Sequence, residues 1–81
     1  MSDELDRTRA MWRQVAAIVI ARIEDGTYPP GSRVPSTLGL ATELNIASST
    51  SQKALAHLRA EGWLRGENGI GTFVVDHPPQ T

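Results

Sequence analysis

Between positions 48 and 57 the chain carries Ser48, Ser49, Thr50, Gln52, Lys53 and His57, interleaved with Ala54, Leu55 and Ala56. These side chains form hydrogen bonds of the kind that read base edges in a nucleic-acid groove. Gln52 has the paired donor and acceptor that match adenine, Lys53 suits guanine or a phosphate, and serine hydroxyls serve either role. The same set also suits an ordinary solvated helix face, and the residue types alone favour that plainer reading. Other chemistry is poorly supplied. There is no cysteine, the hydroxyls of Ser48 to Ser51 have no evident base, and His57 and His77 stand apart with no ligand pattern around them. Nucleophilic catalysis, a metal site and a bound cofactor are therefore not expected.

Three helices and a hairpin are expected to position these residues. Trp12, Val15, Ala16, Val19, Ile20 and Ile23 recur at i, i+3, i+4, i+7, i+8 and i+11, the spacing of one helix face. This first helix is read from about Asp6 to a stop at Gly26. Met11 and Ile18 lie off the stripe, marking either a second buried side or a partner surface. Tyr28-Pro29-Pro30-Gly31 makes a loop, and Arg33-Val34 a very short strand. Ser36 caps a short second helix carrying Leu40, Ala41 and Leu44. Gly39 stands where a capping box has Glu or Gln. The third helix starts at 47–49, with Ser49 and Gln52 matching a capping box. At about 100° per residue, Ser51, Ala54, Leu55, Leu58 and Gly62 share its inner face. Ser49, Lys53, Ala56 and Ala60 lie opposite, flanked by Gln52 and His57. After Gly62 come Trp63-Leu64-Arg65 and Thr72-Phe73-Val74-Val75, joined by Gly66-Glu67-Asn68-Gly69-Ile70-Gly71. Asn68-Gly69 is a two-residue turn signal, with Leu64, Phe73 and Val75 expected inward.

The fold class is thus mainly α with a small β-hairpin: a winged helix-turn-helix of three helices plus a two- or three-stranded wing. The expected organisation is a flexible start at 1–5, one domain at 6–75 and a flexible tail at 76–81. The 81 residues allow one small domain, which buries only about 60% of its unfolded surface. The longest apolar stretch, Val15 to Ile23, is broken by Arg22 and falls far short of a membrane span. The acidic start Met1-Ser2-Asp3-Glu4 is unlike a secretory signal, so a cytoplasmic, nucleoid-associated location is expected. The net charge of −1 departs from the basic balance usual in nucleic-acid binders.

The whole run Gly26, Pro30-Gly31, Val34-Pro35-Ser36, Leu40-Ala41, Leu44-Asn45-Ile46, Thr50, Ala54-Leu55, Leu58, Glu61-Gly62 and Gly69-Ile70-Gly71-Thr72-Phe73-Val74 resembles the N-terminal DNA-binding domain of GntR-family bacterial transcription regulators. Trp12 and Gln14 fit that family's opening helix, and the resemblance covers about residues 12 to 75. It implies a transcription regulator, a repressor binding double-stranded DNA at a two-fold operator. With about four phosphates neutralised per copy, affinity is expected to be weak and to need two copies, as a homodimer or with a protein partner, with half-sites ~10 bp apart if a dimer forms on one face. The resemblance further implies DNA contacts from Ser48, Ser49, Gln52, Lys53 and His57. Ser36, Thr37 and Thr50 are candidate phosphate donors. In the wing, Arg65 reaches a phosphate and Asn68 and Gly69 approach a groove.

The departures carry information too. The family usually has arginine where Leu38 and Ser48 stand, and often another where Gln52 stands. Ser51 replaces a usual small apolar residue. An alternative is therefore a winged-helix protein-interaction module gripping its partner through Leu38, Met11 and Ile18. Arg33, Lys53 and Arg65 are expected to converge on the DNA side. The family normally continues into an effector-binding, dimerising domain. The start at Met1 and the soft end at Gln80-Thr81 fit a free-standing regulator without one better than an excised domain.

Overall fold

The computed structural model describes residues 10–67 and 69–79. In chain order the elements are α1 (Met11–Glu24), α2 (Thr37–Leu44), α3 (Ser48–Ala60), β1 (Leu64–Glu67) and β2 (Gly71–Val74). They form the expected three helices and wing.

Helix α1 buries Val15, Ala16, Val19 and Ile23, with Trp12 and Ile20 packed partly against the same core. Ala10 holds an extended conformation, so the helix begins at Met11; the positions between Asp6 and Ala10 lie outside the described residues, as does the segment 1–5. Met11 and Ile18 are each half-buried. The helix stops where expected, because Gly26 takes φ 89°, a left-handed conformation costing glycine little. The Tyr28 N–H then donates back to the Arg22 carbonyl at 2.9 Å. Asp25 accepts from the Thr27 N–H at 2.8 Å. The Thr27 side chain, foremost, and this backbone bond hold the Asp25 carboxyl below its ordinary value.

The Ser36 hydroxyl caps α2, accepting from the Gly39 N–H at 3.0 Å. The structure also accounts for the helix-weakening glycine at 39. A Cβ there would sit 3.2 Å from the Ser36 Oγ and 3.7 Å from the Pro35 Cβ, pressing on the cap. At its other end α2 closes on Asn45, the one described non-glycine residue with positive φ (55°). Asn45 and Ile46 donate to the carbonyls of Thr42 and Ala41 at 3.3 and 3.0 Å. These bonds satisfy the helix end and swing the chain into α3.

The expected capping box at Ser49 and Gln52 does not form. The cap residue is Ala47, two residues before Ser49, and no side chain makes a capping bond. Ser49 is thus already inside the first turn, and the Thr50 and Ser51 N–H groups donate to the Ala47 carbonyl. The inner face is as expected: Ser51, Ala54, Leu55 and Leu58 are buried, although Gly62 is exposed. Ser51 is fully buried and donates to the Thr37 carbonyl at 2.8 Å. The one polar residue of that face therefore ties α3 to the first turn of α2.

The wing pairs Leu64 with Val74, Arg65 with Phe73, Gly66 with Thr72 and Glu67 with Gly71, antiparallel. Three positions, 68–70, separate the strand ends, one more than the expected two-residue turn; the Ile70 N–H donates to the Glu67 carbonyl at 3.0 Å. Arg33 adds the expected third strand as a single bridge to Phe73. The inward face of β2 differs by one residue from the expectation: Val74 is buried, while Phe73 and Val75 are half-buried. Side chains alternate along a strand, so opposition of Val74 to buried Leu64 fixes which face turns inward. Val34, Leu40, Trp63, Leu64 and Val74 complete the core begun by α1 and α3. Arg22 straps α1 to α2, 2.6 Å from Glu43 and donating to the Tyr28 hydroxyl at 2.6 Å. These partners, Glu43 foremost, raise the Arg22 pKa above its ordinary value. No helix among the described residues is long and apolar enough to cross a membrane.

Candidate nucleic-acid interface

The buried face of α3 fixes what its other faces can do. Ser48, Ser49, Gln52, Lys53, Ala56 and His57 are all exposed. At about 100° per residue they divide into two flanks. Ser48 and Gln52 lie on one, Thr50, Lys53 and His57 on the other, and Ser49 on the crest between. The helix begins on Ala47 without a side-chain cap. Its first turn, bearing Ser48 and Ser49, is therefore uncovered by its own chain.

The Lys53 flank packs around Trp12 of α1. The Lys53 ammonium lies 5.2 Å and the Arg13 guanidinium carbon 5.3 Å from the Trp12 ring centroid. The His57 ring meets Trp12 edge-on at 4.8 Å and 61°. Such contacts hold cations on an aromatic surface. Lys53 is thus positioned by α1 rather than swinging freely over the Ser48–Gln52 flank. Thr50 is half-buried.

Of the three cations expected to converge, Lys53 and Arg65 take partners within the domain, and Arg33 has neither an acidic nor an aromatic one among the described residues. Lys53 stands on Trp12. Arg65 lies 5.5 Å from the Phe73 ring and 2.5 Å from Glu67, with which it pairs. Its charge is therefore shared with an acid rather than offered alone. Arg33 turns along the wing toward Gly71. At α2, the Ser36 Oγ accepts the Gly39 N–H and keeps its own proton to donate. Thr37 is half-buried with its carbonyl engaged by Ser51, and Leu38 stands 69% exposed. Gly69 takes φ 73° in open space beside Ile70, which is 57% exposed. Asn68 lies outside the described residues.

One residue the sequence left without a role is Arg59. It follows Gln52 by seven positions, two turns on, and so continues the Ser48–Gln52 flank. A Cβ at Gly66 would sit 3.2 Å from its Nη1, so this flank faces the wing. The i+7 spacing was the available signal.

A family model described as "Bacterial regulatory proteins, gntR family" matches residues 12–74, from the first turn of α1 to the end of β2. The chain belongs to the GntR family. Among curated relatives, the domain is 38% identical over 66 residues to the histidine utilization repressor of Pseudomonas putida. That alignment covers 82% of this chain and 27% of the repressor, so the chain spans about a quarter of its relative's length. Among solved structures, the GntR domain superposes with TM-score 0.87 and 26% identity on a GntR family transcriptional regulator from Listeria monocytogenes, covering 90% of this chain and 64% of that one. It superposes with TM-score 0.79 and 25% identity on AraR(DBD) in complex with operator ORR3, covering 93% and 88% of the two chains. Ser48, Gln52 and Leu38 all lie exposed on this shared fold.

Proposed function

We propose that this GntR domain is the sequence-selective, duplex-DNA-reading part of a transcription regulator that represses from a two-fold operator. The observation that carries this reading is the uncapped, exposed first turn of α3. It presents Ser48, Ser49 and Gln52 at the start of the second helix of a helix-turn-helix, with a wing beside it. In such motifs the N-terminal residues of the second helix meet base edges in the major groove. Gln52 has the donor–acceptor pair for adenine, and the two serines suit either groove edge. Ser36 donates to a flanking phosphate, a contact that positions rather than specifies. The likeness to AraR(DBD) bound to its operator and to a histidine utilization repressor supports both halves of the proposal.

Hydroxyl and amide contacts without guanidinium forks give each copy weak affinity, so two copies on a palindromic site, joined through the same DNA, supply the useful binding. The test is selection from fragmented genomic DNA, followed by fluorescence anisotropy at low salt against random duplex. The expected result is a fragment with inverted half-sites that binds at least tenfold more tightly than random duplex. Solution mass should show two chains per fragment. If no fragment outcompetes random duplex, the proposal fails.

A further inference from the structure

Among the described cations, Arg33 and Arg59 alone have neither an acidic nor an aromatic partner; Arg22 and Arg65 pair with carboxylates, and Arg13 and Lys53 lie on Trp12. Yet both line one open cleft, between the end of α3 and the wing, which also takes in Gly66, Gly71 and Thr72. The cleft exists because two wing residues have no side chain. A Cβ at Gly66 would come within 3.2 Å of the Arg59 Nη1, and one at Gly71 within 2.7 Å of the Arg33 Nε. Glu67 is the acid on its rim, and that carboxylate is already paired with Arg65.

We infer that this cleft seats the DNA sugar-phosphate backbone beside the groove that α3 enters, and that Arg33 and Arg59 supply the charge absent from the α3 crest. The inference rests on the DNA-reading role proposed above. Arg59 lies on the same flank as Ser48 and Gln52, eleven residues beyond Ser48. Those steps span ~16 Å along the helix axis. The major groove is about 12 Å wide. Arg59 therefore stands at the opposite end of α3 from Ser48, next to the wing. Two guanidiniums held in the open, with donors unspent, suit phosphodiester oxygens. Among the described residues, the positive charge without an acidic or aromatic partner is thus concentrated beside the wing end of α3.

The experiment measures binding of the full chain to its selected duplex across a salt series, for the wild type and for Arg33→Ala/Arg59→Ala. Each phosphate contact adds about 0.9 to the slope of log K against log salt. The double variant should lower that slope by about 2 and weaken selected and random duplex by the same factor. Gly66→Ala keeps both charges, and its Cβ asks the flexible end of Arg59 to give by only a few tenths of an ångström, so its slope should stay at the wild-type value. Circular dichroism checks that each variant folds. An unchanged slope in the folded double variant, with wild-type binding intact, overturns the cleft and leaves the DNA-reading role standing. Wild-type protein that selects no fragment overturns the role itself. Inorganic phosphate at matched ionic strength should compete no better than chloride. Competition seen in the wild type and lost in the double variant would make the cleft a free-anion site and sink the inference.

Discussion

At the scale of single residues, the faces of α3 divide into an exposed side, to which the proposal assigns DNA reading, and a buried side that holds the fold. Ser48, Ser49 and Gln52 are exposed and unengaged by the core, whereas Ser51, three positions on from Ser48, is fully buried and bonded to the Thr37 carbonyl. Ser51→Ala should therefore destabilise the domain by about 1 kcal/mol, the usual net worth of one such bond. Urea unfolding checks it through the midpoint at unchanged slope; a variant as stable as the wild type would show the bond to be idle. The inner and outer faces of α3 were legible in the sequence because helical periodicity sorts apolar from polar residues without tertiary information. The pairings between elements were not. Lys53 with Trp12 and Arg59 against Gly66 join separate elements, and spacing along one element does not report these contacts. The Arg65–Glu67 pair, two apart on β1, shares a strand face that the spacing does report.

At the scale of elements, the angle between α2 and α3 is set by Asn45 in its left-handed conformation. Asn45→Gly should leave stability within a few tenths of a kcal/mol. Asn45→Ala should cost about 1 kcal/mol, because a Cβ is disfavoured there and the polar side chain that tolerates it is gone. Thermal unfolding of the pair decides this, and equal losses would contradict it. Ser36→Ala, which removes the α2 cap, should cost about 1 kcal/mol, measured the same way. The Arg22–Glu43 strap is partly exposed, with side chains 25% and 44% accessible. Glu43→Gln should therefore cost under ~1 kcal/mol, and the loss should shrink in high salt. The caps at Ser36 and Gly26 were legible because their signals are local. The inward face of β2 was not: alternation allows two phases, and only the pairing of Leu64 with Val74 chooses between them. The start of α3 fell within the expected 47–49, but the Ser49–Gln52 capping box did not form, since the chain uses Ala47 as cap.

At the scale of the whole molecule, a net charge of −1 coexists with a DNA-reading scaffold because the charges are sorted. Arg22 and Arg65 are neutralised by acids, Lys53 and Arg13 rest on Trp12, and Arg33 and Arg59 stay open beside the wing. In the proposed function, specificity comes from hydrogen bonds at the start of α3, and the charged groups set how tightly any duplex is held. That separation is the central claim, and the Gln52→Ala variant tests it most directly. Its affinity for the selected fragment and for random duplex is to be compared with that of the wild type at one fixed salt concentration. The account predicts a fall of about tenfold in the preference for the selected fragment, the size of one lost base contact, with random-duplex binding and its salt slope unchanged. An unaltered preference, or an equal loss on both duplexes, would contradict it.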